Sequence, residues 1–317
     1  MNGKASYMFI IEGFFFSYNP QVGKSAVCHG PAYGSYITAF FWIYKNNDNI
    51  FKVHGYSLLL FGCLRYNWLM KIFSGKKALV IGGSGGIGFA LARSLAEMGA
   101  FVTVHGKSLK KLNQVEEIIK KETDNTVKKL CFDFSEENLT EEKMAELVEE
   151  VKNTDILCFC YGPFLQKTLE ETDLSEWKSM AVMNYALPGF FISLALKNME
   201  SRNWGRILVF GGTGTSFRSE FKTNAAYSGA KTALGVIVQS GAAKCACNGV
   251  TLNAILPGFV DTEYIGEKEK NILKEKSPQK KLILPEEIAR AGIFLLSNEN
   301  LNGVLLKMDG GWSPLFR

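Results

Sequence analysis

The chain has no early basic region and no small-residue cleavage site of the kind a secretory signal carries. It has no zinc-finger spacing among its seven cysteines. Nor is there a one-sided charge that would mark a nucleic-acid partner: 36 Lys and Arg stand against 31 Asp and Glu, a net +5. Lysines and glutamates interleave throughout, the pattern of solvated helix faces and not of a phosphate-binding stripe. The cysteines form two C-x-C pairs, Cys158/Cys160 and Cys245/Cys247. The first pair sits in a short apolar run that reads as a buried strand. Its side chains then point the same way, and buried reduced thiols in a cytosolic protein are the expectation. No metal ligand set is read from the sequence.

What is present is unevenly spread. Residues 1–69 hold 17 of the 39 aromatic residues. Their apolar stretches, Tyr7–Tyr18, Tyr36–Tyr44 and Tyr56–Met70, all fall short of the roughly 18–20 residues of a membrane span. No helical or strand period persists there. Two readings stand: an interfacial anchor or partner-binding arm, or sequence upstream of the true start. The second is favoured because Met70 opens a regular pattern, so membrane contact is expected only if residues 1–69 are made.

From Lys77 onward, short apolar runs alternate with helices of about 10–15 residues. KALVI (Lys77–Ile81), FVTVH (Phe101–His105), VKKLCFDF (Val127–Phe134), ILCFC (Ile156–Cys160), RILVF (Arg206–Phe210), TLNAIL (Thr251–Leu256) and VLLKM (Val304–Met308) read as strands. Amphipathic segments such as Leu109–Glu122 lie between them. Such alternation predicts an α/β fold, one doubly wound parallel sheet with helices on both faces, over residues 70–317.

The first strand runs into GGSGGIG. Gly82 permits a sharp turn, Gly86 a close approach of the backbone to a pyrophosphate, and Gly88 a close helix–sheet contact. Ser84 and Ile87 lie in the same turn, and the following helix aims its free N–H groups at the anion. The arrangement is Rossmann-type. At the end of the second strand, where a carboxylate would hydrogen-bond the ribose hydroxyls of NAD, the chain has His105-Gly106-Lys107-Ser108. Gly106 leaves that place empty, and Lys107 and Ser108 offer a cation and a hydroxyl to a 2′-phosphate. The expected cofactor is NADP(H).

In NAAYSGAKTAL, Tyr227 and Lys231 stand four apart on a helix, hence on one face. A tyrosine of unperturbed pKa about 10 is a poor acid–base group, and a nearby ammonium is expected to lower it. With these motifs the chain resembles the short-chain dehydrogenase/reductase family over essentially all of Met70–Arg317. Within it, the segment after Thr262 and the PEEIA ending look most like 3-oxoacyl-acyl-carrier-protein reductases.

The resemblance implies hydride transfer between NADP(H) and a ketone or secondary alcohol, with Tyr227 as acid and Lys231 tuning it and holding the ribose. It places Asn184 at the proton relay, and Asp133 with Phe134 at the adenine. Gly162 is the surviving member of an N-N-A-G motif, here Phe159-Cys160-Tyr161-Gly162. Pro257 and Gly258 match the family's sixth-strand motif among the cofactor-binding residues, and Thr262 the residue that reaches the carboxamide of nicotinamide. It also implies a homodimer or homotetramer in the cytoplasm. The family's serine, thirteen residues before the tyrosine, is here Gly214. With a loop a residue or two longer, Thr213 is the expected substitute donor, ahead of Thr215 and Ser216. The alternative is an NADP(H)-binding sensor or structural protein without turnover.

Overall fold

The computed structural model describes residues 71–216 and 220–312, together with the backbone of five short strands within the first 54 residues. The chain divides into two compact units, Met1–Met70 and Lys71–Arg317. In the first, β1 (Tyr7–Ile11), β2 (Phe14–Tyr18) and β3 (Ala26–His29) form an antiparallel sheet, and β4 (Trp42–Lys45) pairs antiparallel with β5 (Phe51–His54). This differs from the absence of a strand period noted above. Aromatic residues favour extended backbone, and strands of four or five residues pair without any sustained alternation. The question of a membrane-facing surface there lies outside the described residues.

In the second unit the elements follow one another as β6 (Lys77–Ile81), α1 (Gly86–Glu97), β7 (Phe101–Gly106), α2 (Leu109–Thr123), β8 (Lys128–Cys131), α3 (Ala145–Asn153) and β9 (Ile156–Phe159). Then come α4 (Leu174–Ala181), α5 (Leu187–Ser201), β10 (Gly205–Phe210), α6 (Ala225–Cys245), β11 (Val250–Pro257), α7 (Glu267–Lys276), α8 (Pro285–Ser297) and β12 (Leu305–Met308). The seven strands form one parallel sheet in the order β12-β11-β10-β9-β6-β7-β8. The order reverses between β6 and β9, and in open α/β sheets that switch point, at the carboxyl ends of the strands, is where ligands bind.

The five inner strands β6, β7, β9, β10 and β11 are buried on both faces, which is why they read as apolar runs, whereas the edge strands β8 and β12 are partly exposed. Along β6, Ala78 and Val80 join one core cluster with residues of α1, α2 and α8. Leu79 and Ile81 point the other way, into a cluster with residues of α3, α5 and α6. Cys158 lies in the first cluster and Cys160 packs against it, so the pair does share a face. Burial raises both thiols, and they remain protonated.

Helices α4 and α5 are continuous through a π-helical turn, Val182–Ala186. The whole stretch, Leu174–Ser201, is long and apolar enough to cross a membrane by composition. Half of its most apolar window is buried, however, with Phe191, Ile192, Ala195 and Met199 inside the second core cluster. That is the position of a core helix.

Candidate active site

The carboxyl ends of β6, β7, β9, β10 and β11 bring the candidate residues together. At the end of β6, Gly82 has φ +77°, a conformation that favours glycine. A Cβ there would also lie 2.9 Å from the Tyr161 amide, so the β6 and β9 turns touch because residue 82 has no side chain. A Cβ on Gly88 would collide with the Gly82 carbonyl. Gly86, φ +51°, starts α1, whose N-cap Gly85 provides no side-chain hydrogen bond and whose first turn carries no acid. These N–H groups therefore face outward at a positive helix end. Ile87 packs against the first core cluster.

His105, at the end of β7, was not expected as a site residue, yet it braces this turn. Its Nδ1 accepts from the Gly82 N–H at 3.2 Å and its Nε2 donates to the Phe132 carbonyl at 3.1 Å. That pattern requires the neutral Nε2–H tautomer. Burial lowers its pKa from 6.5 to about 4, which keeps the ring neutral. The only sequence signal was a histidine ending an otherwise apolar strand.

Gly106 follows, and a Cβ there would lie 2.7 Å from both Cβ and Oγ of Ser84. A side chain at residue 106 would therefore press on Ser84 of the glycine turn. Lys107 is exposed. The Ser108 hydroxyl accepts from the Lys111 N–H at 3.4 Å and so caps α2. Asp133 is exposed, whereas the Phe134 ring is only 2% exposed, packed against His105, Phe132, Tyr161 and Phe191. Phe134 is therefore a core residue behind the site.

Lys231 and Asn184 meet at Gly162. A Cβ on Gly162 would collide with Asn184 Oδ1 and lie 2.8 Å from Lys231 Nζ. Asn184 sits in the π-helical turn, fully buried, its Nδ2 donating to the Pro163 carbonyl at 3.1 Å. Its Oδ1 has no partner, an orphaned acceptor at the heart of the site. Lys231 Nζ donates to the Phe210 carbonyl at 2.8 Å. Burial lowers its pKa from 10.5 to about 8.

Tyr227 departs from expectation. Burial raises its pKa from 10 to about 12, and the Lys231 ammonium does not offset this. Nζ is 5.9 Å from the phenol ring centroid and is tied to Phe210, so desolvation of the phenolate outweighs attraction to the cation. The exposed Phe164 ring stands edge-on to Tyr227 at 5.0 Å.

The carbonyl-donor position also differs. The residue that faces Tyr227 is Gly212, fifteen places before it: a Cβ there would lie 3.4 Å from the phenolic oxygen. Gly214 faces Phe221 instead. The Thr213 hydroxyl donates to the Pro257 carbonyl at 2.9 Å, and the Thr215 hydroxyl, buried, donates to the Gly212 carbonyl at 2.8 Å. Ser216 Oγ is buried without a partner. A hydroxyl has one proton to donate, so neither threonine has one free for a substrate in this arrangement.

Beyond β11, Gly258 packs against the Asp309 backbone, at 2.7 Å from where its Cβ would be. Thr262 reaches the phosphate turn, its Cγ2 3.2 Å from the Cβ position of Gly86. The next two residues, Glu263 and Tyr264, were not expected in the site but lie directly on that turn. Glu263 Oε2 accepts from the Gly86 N–H at 3.1 Å. The Tyr264 hydroxyl bonds Ser84 and Glu263, and Lys111 Nζ stands 4.9 Å from the Tyr264 ring centroid.

The residues fit a dinucleotide on two grounds: a glycine cradle that any side chain would fill, and an orphaned acceptor beside a buried lysine. Among the described residues no group of three or more His, Cys, Asp or Glu side chains is placed to hold a metal ion.

Comparison with known proteins shows the family and the fold. The family model described as short chain dehydrogenase matches residues 76–272. The 3-oxoacyl-acyl-carrier-protein reductase FabG of Rickettsia bellii is 30% identical over 249 residues, 75% of this chain and 97% of that protein. The D-beta-hydroxybutyrate dehydrogenase of Rhizobium meliloti is 27% identical over 256 residues, 75% of this chain and 98% of its own. Among solved structures, a 3-oxoacyl (acyl-carrier-protein) reductase from Agrobacterium tumefaciens with NADP bound superposes with a TM-score of 0.69 at 25% identity. That match covers 79% of this chain and 98% of that one.

Proposed function

The chain belongs to the short-chain dehydrogenase family, an oxidoreductase family acting on CH–OH and C=O groups, and from that premise we propose that residues 70–317 reduce a ketone with NADPH. The observation that carries this reading is the meeting of Lys231 and Asn184 at Gly162, with the Tyr227 ring centroid 5.9 Å from Lys231 Nζ on the same helix. When bound, the nicotinamide supplies the hydride to the carbonyl carbon. Tyr227 gives its phenolic proton to the carbonyl oxygen, Lys231 stabilises the phenolate left behind, and the buried Asn184 amide holds the Pro163 backbone at the site's edge.

NADP(H) is favoured over NAD(H) by Gly106 in the place of a carboxylate and by the exposed Lys107. The proposed carbonyl is a 3-oxoacyl thioester, supported by the similarity to the R. bellii reductase. The lysines at 268, 270, 274, 276, 280 and 281 add little to that choice. Lys270 is paired with Asp261 and Glu267, and Lys280 with Glu275, as on a solvated face. Self-association in the cytoplasm is proposed through α4 and α6. Trp177, Ala181, Tyr185, Ala226 and Ala230 line a cavity of about 230 Å³ there, and Trp177 and Tyr185 are exposed.

The test is NADPH oxidation against simple ketones and 3-oxoacyl thioesters, with NADH in parallel. Turnover of at least one thioester, faster with NADPH, is expected. NADPH binding without oxidation by any carbonyl would leave the non-catalytic reading in its place.

Cofactor choice has its own test. In Lys107→Glu, NADPH affinity is expected to fall by about 10- to 100-fold through the lost pair and the added repulsion. NADH affinity should change little. Equal NADPH and NADH affinities in the unaltered protein would refute the assignment of Lys107.

A further inference from the structure

The N-terminus of α1 carries no cap of its own, yet it is not bare. The nearest anion comes from residue 263, 177 positions along the chain: Glu263 Oε2 accepts the Gly86 N–H at 3.1 Å. Glu263 and Tyr264 also occupy the space in front of Gly85, where even a Cβ would collide with the Glu263 carboxylate and the Tyr264 hydroxyl. A carboxylate on a helix N-terminus and a diphosphate on the same N–H groups satisfy one requirement, negative charge at the positive helix end. Both cannot be there together.

We propose that Glu263 is an affinity-determining residue that competes with the cofactor diphosphate for the α1 N-terminus, so that cofactor binding requires the Thr262–Gly266 strap to swing out. This rests on the reading of the glycine turn as a dinucleotide site. The strap is built to move as a short unit between fixed ends. On one side Asp261 is held by its N–H to the Ile283 carbonyl at 2.8 Å and by an ion pair to Lys270 at 2.6 Å. On the other, Gly266 caps α7, its carbonyl accepting the Lys270 N–H at 2.9 Å. Between them Glu263 and Tyr264 are exposed, Tyr264 at 62%, so leaving the turn returns a charged and a polar group to water without opening the core. What holds the strap down is polar: the Glu263 contact, the Tyr264 hydroxyl on Ser84 and Glu263, and Lys111 against the Tyr264 ring.

A site whose competent state is only partly populated binds its ligand more weakly by that fraction. Weakening the strap should therefore tighten cofactor binding. Calorimetric titration of the full chain with NADPH is expected to give about ten-fold tighter binding for Glu263→Gln, which keeps the size and loses the charge. For Tyr264→Phe, which leaves every charge in place and removes only the hydroxyl latch, about three-fold tighter binding is expected.

The two variants separate competition from plain repulsion. Repulsion between Glu263 and a diphosphate would respond to Glu263→Gln but leave Tyr264→Phe at the unaltered affinity, and that result overturns the proposal. Unchanged or weaker binding by Glu263→Gln also overturns it. If neither the unaltered chain nor either variant binds NADPH or NADH, the dinucleotide reading fails, and the proposal with it.

Discussion

Tyr227→Phe is expected to lower kcat for ketone reduction by about 10²- to 10⁴-fold, the range for removing a positioned general acid. The dissociation constant for NADPH should stay within about two-fold, since the ring keeps its edge contact with Phe164 and none of the phosphate turn is touched. The pH profile follows from the same groups. With Tyr227 at about 12, the phenol is protonated, and fit to donate, across the working range. Lys231 loses its proton as pH rises through about 8, and with it goes the cation that stabilises the phenolate formed on donation. Reduction by the unaltered protein should therefore decline above about pH 8. Alcohol oxidation, which needs the phenolate, should be slow at neutral pH. The measurement is kcat and kcat/KM against pH in both directions, with cofactor titrations of each form. Near-normal turnover by Tyr227→Phe with a good substrate would remove Tyr227 from the role.

Gly212→Ser is expected to raise kcat/KM by about 10²-fold, the scale of one donor aimed at a developing oxyanion. Residue 212 is the one whose Cβ would stand 3.4 Å from the Tyr227 oxygen, and its backbone lies outside the left-handed region, so a serine side chain is permitted. The same Cβ would lie 3.3 Å from Tyr227 Cε1, a contact that asks the ring to yield by a few tenths of an ångström. Gly212→Ala isolates that packing effect, because it adds the Cβ without the hydroxyl. Serine should exceed alanine. The competing result is specific: Gly212→Ser no better than Gly212→Ala, together with a 10²-fold loss in Thr213→Ala, would restore Thr213 as donor. It would also mean that the Thr213 hydroxyl leaves the Pro257 carbonyl when substrate binds.

The difference between positions 212, 213 and 214 shows where residue patterns stop informing. Counting thirteen places back from Tyr227 lands on Gly214, but the count assumes a loop length, and the residue whose Cβ would face the phenol stands fifteen places back. Only the spatial relation of β10 to α6 reveals which residue faces the phenol. Tyr227 and Lys231 themselves were legible because four residues on one helix is a local spacing that no distant contact alters. The glycine turn was legible for a similar reason: a strand, a tight turn and a helix are consecutive, and the steric demand at Gly82, Gly86 and Gly88 arises among near neighbours and the adjacent strand. The π-helical turn at Val182–Ala186 was not read from the sequence, because its one-place shift of the apolar register falls in a segment apolar on most sides.

By itself the sequence determined the succession of elements, the parallel sheet with helices on both faces, the phosphate turn and the Tyr227/Lys231 pair. Each rests on periodicity or on spacing within a few residues, and those are set by backbone geometry alone. The tertiary structure decided the rest. It set the pKa of Tyr227, because desolvation depends on everything packed around the phenol and not on Lys231 alone. It drew His105 onto the Gly82 N–H from a neighbouring strand. And it laid Glu263 on the N-terminus of α1, a contact across 177 residues that leaves no period or motif, because only the folded sheet brings the ends of β6 and β11 to one edge.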